Sequence, residues 1–110
     1  MAYDEDLADR IRVALSDQDG LTDKRMFGGL AFMVNGNMAV SASGQGGLLL
    51  RVDPAQTGSI VGESGVTRFR MRGREMDGWV RVDPTGVASD EQLQRWVGLG
   101  VAYARSLPPK

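Results

Sequence analysis

Apolar positions near the start of the chain recur with the period of a helix. Leu7, Ile11, Ala14 and Leu15 form one stripe at i, i+4, i+7 and i+8. Asp4 is placed to cap that helix, Glu5 and Asp6 suit the positive end of its dipole, and the polar run Asp17 to Gly20 ends it. The pattern then changes. From Arg25 to Val40 the chain reads RMFGGLAFMVNGNMAV, two apolar runs around Asn35-Gly36. That pair signals a two-residue type I′ hairpin, because both central positions need positive φ. The turn sets a register in which Val34 faces Asn37, Met33 faces Met38, Phe32 faces Ala39 and Ala31 faces Val40. One face then carries Ala31, Met33, Met38 and Val40, and the other Leu30, Phe32 and Val34. A hairpin apolar on both faces belongs at the centre of a sheet, or turns one face to a partner.

Gly28-Gly29 has two readings. A phosphate cradle needs a helix N-terminus directly after the glycines. Here a strand follows, so the pair reads as a bulge, a bend or a close backbone approach where the chain enters the sheet. A third strand, Gly47 to Val52, runs into Asp53-Pro54-Ala-Gln56, a helix start that opens a short, weak helix to about Val61. Thr67 to Arg74 alternates strictly, with Phe69 and Met71 on one side. On the other side Arg68, Arg70, Arg72 and Arg74 align if the strand continues, or three of them if Gly73 breaks it. Trp79 to Val82 is a further strand, followed by an Asp83-Pro84-Thr-Gly86 turn. Arg-Val-Asp-Pro occurs at Arg51 and again at Arg81, and reads as one local solution used twice.

The last helix begins with a capping box at Ser89 and Gln92. Its stripe is Leu93, Trp96, Val97, Gly100, Ala104 and Leu107, and Pro108-Pro109 stops it. Gly98 and Gly100 inside it are explained if the helix lies very close to the sheet or another helix. The order helix, three strands, weak helix, two strands, long helix predicts a two-layer α+β fold. Its five-stranded sheet is mostly antiparallel, with the helices on one face.

With 110 residues the chain is one domain, large enough to bury a core. It has no cysteine and no histidine, which removes thiolate chemistry and the commonest acid/base and transition-metal ligand. Thirteen basic and fourteen acidic residues give a net charge of -1, so no global field draws it to nucleic acid or a membrane. The acidic start MAYDEDLADR resembles neither a secretory signal nor a transit peptide, and a cytoplasmic location is expected. The compact polar group Arg72, Arg74, Glu75 and Asp77 beside Trp79 reads as a solvated turn with local ion pairs. No enzyme activity, cofactor or metal is expected.

Three stretches carry a family resemblance: KRMFGGLAFMVNGNMAV from Lys24, GWVRVDP from Gly78, and YARSLPPK from Tyr103. Together the chain resembles the N-terminal domain of TfoX/Sxy-type competence regulators over nearly its whole length. The resemblance implies a two-layer α+β fold like that of secretion chaperones. Long members of the family look like transcriptional co-regulators acting with the cyclic-AMP receptor protein, and carry a second, helical domain that is not expected in this sequence. It supplies no catalytic residue. The matching Met26, Phe27, Gly28, Gly29 and Trp79 read as fold determinants, as do Asn35 and Gly36 of the turn and Trp96 of the last helix.

Three functions follow as expectations. The first is a protein-interaction module, homodimeric, with a transcription regulator as partner. It would make contact through Phe32, Met33 and Met38 of the hairpin or through the arginine row acting on an acidic surface. The second is direct nucleic-acid binding by Arg68, Arg70, Arg72 and Arg74, whose spacing of about 6.8 Å along a strand approaches that of backbone phosphates. The third is a small-ligand-binding domain.

Overall fold

The first helix, α1 (Glu5–Ala14), is capped as its sequence predicts, the Asp4 carboxylate accepting the Leu7 N–H at 3.2 Å. This computed structural model describes residues 3–26, 28–44, 46–63, 65–71 and 73–109, and Phe27 and Arg72 lie outside them. Among the described residues six strands follow: β1 (Leu21–Met26), β2 (Gly29–Val34), β3 (Asn37–Ala42), β4 (Leu48–Arg51), β5 (Val66–Met71) and β6 (Arg74–Val82). They form one antiparallel sheet in the order β1-β2-β3-β4-β6-β5. The short helix α2 (Thr57–Ile60) precedes β5, and the long helix α3 (Asp90–Ser106) follows β6. Among the described residues no helix is long and apolar enough to cross a membrane.

The sheet thus has six strands where five were expected. The extra one is β1, whose sequence LTDKRM leaves its four central side chains exposed. A strand with no buried face shows no alternation to read. β6 is also longer than expected, because the polar segment Arg74 to Asp77 is already strand.

The Asn35-Gly36 turn forms as predicted, with φ of 53° and 83°. Val34 faces Asn37 and Met33 faces Met38. Beyond that pair the register shifts by one. Phe32 faces Val40 rather than Ala39, and Ala31 faces Ser41, so Ala39 is the extra residue of a bulge. Val40 therefore joins Phe32 on the helix-covered side, not Met33 and Met38 on the other. Gly28 lies in the β1–β2 turn with φ of 74°, and a Cβ on Gly29 would run into the Ala42 carbonyl. The pair is a turn and a close approach, with no helix N-terminus to cradle a phosphate.

Both long helices cover the same side of the sheet. Leu7 and Ile11 from α1, with Leu15 just after it, meet Leu93, Trp96, Val97, Val101 and Ala104 from α3 over Leu30, Phe32, Val34, Val40, Leu48, Leu50, Val80 and Val82. The capping box of α3 is formed: the Gln92 N–H donates to Ser89 Oγ at 3.1 Å and the Ser89 N–H to Gln92 Oε1 at 3.0 Å. Trp96 is buried and donates its indole N–H to the Gly86 carbonyl at 3.1 Å. After α3 the chain is held by the buried Asn37, whose amide donates to the Pro108 carbonyl at 2.9 Å. The repeated Arg-Val-Asp-Pro does make one structure twice. At each copy the chain turns into a short 3-10 helix, Pro54–Gln56 or Pro84–Val87, closed by an N–H···O bond of 2.8 Å back to the aspartate carbonyl.

Gly100 is where α3 touches the sheet most closely. A methyl placed there would lie 2.5 Å from the Ala39 carbonyl oxygen and 2.8 Å from a Leu50 methyl. A methyl on Gly98, two residues away, would meet nothing within 4 Å among the described residues. The two glycines should therefore respond oppositely to alanine. Gly98→Ala should stabilise by roughly 1 kcal/mol through helix propensity alone, and Gly100→Ala should destabilise by about 1–3 kcal/mol through overpacking. Urea unfolding of both variants reads the two signs directly.

On the α3 surface Arg95 donates two bonds of 2.6 Å to the Glu63 carboxylate. The hydrogen bonds and positive charge of Arg95 hold the Glu63 pKa below the ordinary carboxylate value, against a smaller opposing effect of burial. A lowered folded-state pKa means stability that is present at neutral pH and lost as pH falls through the lowered value. Both side chains are over a third exposed, so the contribution is modest. Wild type should melt slightly above Glu63→Gln at pH 7, with the gap closing at acid pH as the carboxylate protonates.

Candidate functional site

The sheet face opposite the helices is the second apolar surface of the molecule. Alternation along each strand places it there: Leu48 and Leu50 of β4 point into the helix-side core, and Leu49 points the other way. Ala31, Met38 and Leu49 form its buried centre, with Met26, Met33, Phe69 and Trp79 half-buried around them. Met33 and Met38 face each other across the β2–β3 hairpin. Methionine and aromatic side chains offer an adaptable, polarizable surface to another molecule.

Of the hairpin residues expected to make contacts, only Met33 has substantial exposure. Met38 is 6% exposed at the centre of this face. Phe32 is 1% exposed and lies on the other side, beneath the helices, so it serves the core. Met26 belongs to the rim of the open face. Trp79 does as well, and its ring lies 5.3 Å from the guanidinium carbon of Arg51, which is also 5.5 Å from the Tyr103 ring. Arg51 is the last residue of β4, and it ties the open-face aromatic to α3 around the end of that strand. Sequence reasoning did not single out this clamp. Its signal was the repeated Arg-Val-Asp-Pro, whose second arginine, Arg81, also has a specific partner and donates to the Gly46 carbonyl at 2.7 Å.

The arginine row does not continue as one ladder. Gly73, at φ of 78°, lies in the β5–β6 turn, so Arg74 is the first residue of β6. Arg74 pairs with Met71 and Arg70 with Glu75, which puts Arg74 and Arg70 on opposite faces of the hairpin. Arg72 lies outside the described residues. Arg68 faces the buried Val80, on the helix side of the sheet, and bonds to Asp77 at 3.2 Å. The Arg70 guanidinium lies 3.6 Å from the Glu75 carboxylate. The acids expected to form a solvated turn therefore neutralise the two arginines that do share a face. A groove of about 520 Å³, lined by Val61, Val66, Arg68, Phe69, Arg70 and Arg81 among others, wraps this edge of the sheet. Among the described residues no cluster of acidic side chains is arranged to hold a metal ion.

No curated protein and no solved structure matches the chain. A family model described as the TfoX N-terminal domain matches residues 14–104, from the end of α1 to near the end of α3. That span contains the whole sheet, the Met-Phe-Gly-Gly sequence and the Trp79 strand, and on it the chain belongs to the TfoX N-terminal domain family.

Proposed function

We propose that this domain is a non-enzymatic, cytoplasmic interaction module that holds another protein against the sheet face opposite its helices. The observation that carries the reading is the composition of that face: a buried centre of Ala31, Met38 and Leu49, rimmed by half-buried Met26, Met33, Phe69 and Trp79. Such a surface gains free energy by excluding water and does so without a fixed partner geometry. Membership of the TfoX N-terminal domain family supports a transcription regulator as that partner.

Direct nucleic-acid binding has less support. Arg68 and Arg70 are each engaged by a carboxylate of the same hairpin, and Arg74 points to the other face. Affinity purification of the tagged protein from its own host, with nuclease treatment, separates the readings. The partner recovered with wild type should be lost with Met33→Asp and kept with the Arg68→Ala/Arg70→Ala pair, thermal melts confirming that each variant is folded. Nuclease-sensitive recovery that depends on the arginines instead would overturn the proposal.

A further inference from the structure

The sheet has two open edges, and they differ. β5 is an irregular edge. Its register with β6 breaks between Arg68 and Arg70, and the Val66 N–H is already bonded to the Glu63 carbonyl at 3.2 Å. β1 is regular. All six of its residues pair with β2 in unbroken register, without proline, glycine or bulge. Natural proteins usually blunt such an edge, because its outer N–H and C=O groups are a template for another strand; of the usual devices β1 carries charged side chains, Asp23, Lys24 and Arg25, which are of both signs and so do not repel every partner strand.

The ladder itself says which groups those are. The Asn35 N–H donates to the Gly20 carbonyl at 3.0 Å, in step with the β1–β2 register. Bonded and non-bonded pairs alternate in an antiparallel ladder. Thr22, Lys24 and Met26 therefore bond inward to β2, while Leu21, Asp23 and Arg25 turn their peptide groups outward. We infer that β1 pairs antiparallel with β1 of a second copy across a two-fold axis, joining two sheets edge to edge into one.

The charges on the strand favour one register. With Lys24 on the axis, Asp23 of each copy lies directly opposite Arg25 of the other, giving two opposite-charge pairs on the helix side. One residue pair earlier, Asp23 would face itself, and one later, Arg25 would. Directly opposed like charges disfavour both. Asp23 is available for this contact: its side chain is half exposed, and its link to Arg12 is a loose 3.9 Å. The favoured register opposes Lys24 to itself on the other face, which weakens the dimer and keeps it reversible. Because the symmetric contact uses both β1 edges and β5 is irregular and arginine-bearing, the assembly closes at two copies instead of growing into a fibre. The dimer also brings two copies of the open apolar face onto a single sheet, which deepens the interaction-module reading and rests on it only to that extent.

Sedimentation of purified protein over a concentration series tests this with no partner present, so self-association and partner capture can each fail alone. Wild type should be a reversible dimer. Asp23→Arg or Arg25→Asp alone should weaken it by at least about tenfold, since each turns two attractive pairs into repulsive ones, and the double reversal should restore it. Lys24→Thr should tighten it by removing the opposed lysines. Asp23→Pro removes only an outward N–H and should give a folded monomer. A wild type that stays monomeric at its highest soluble concentration would overturn the inference, as would a dimer indifferent to the single reversals.

Discussion

Everything else in the structure depends on how closely α3 can lie on the central strands. Gly100 brings the helix down onto the Ala39 carbonyl, and Ala39 is available there because the β2–β3 register slips by one residue at that point. The slip turns Val40 inward beside Phe32, filling the space under the helix. Asn37 at the start of the same strand then holds the chain after the helix through the Pro108 carbonyl. A bulge, a glycine and one buried amide thus fix the helix layer to one side of the sheet.

That one-sidedness is the source of the candidate site. Helix and sheet bury each other efficiently only where both are apolar, and here the sheet is apolar twice over. The helix side forms a continuous core with α1 and α3. The other side buries its own centre by sheet twist and neighbouring long side chains, leaving methionine, phenylalanine and tryptophan at the rim. The strand-end arginines of the repeated Arg-Val-Asp-Pro serve this arrangement structurally, Arg51 between two aromatic rings and Arg81 on the Gly46 carbonyl.

The parts of the fold legible in the sequence were those with a local chemical signature. Asp4 and the Ser89–Gln92 box marked helix starts, Asn35-Gly36 marked the hairpin, and the apolar stripe of α3 marked its buried side. β1 escaped because an exposed edge strand has no buried face to impose a period on LTDKRM. The bulge escaped because Ala39 is small enough to sit on either side, so nothing in its pattern reveals the slip. The arginine series was legible in part. Its break at Gly73, one of the two readings its alternation left open, does occur, but the register that brings Glu75 opposite Arg70 is set by strand pairing and has no local signature. Of the candidate surface, Met33 and Trp79 were visible as apolar positions. That the face belongs to the sheet side away from the helices depends on tertiary packing that no local pattern encodes.

The most direct test of the account is site-specific photo-crosslinking in the native host, with a benzophenone side chain replacing Phe69 on the open face or Val13 on α1. Val13 is 75% exposed, so the control position is fully accessible to solvent. The account predicts a single protein adduct from position 69 and none from position 13. Adducts from position 13 with none from 69 would place the working surface on the helices and contradict it.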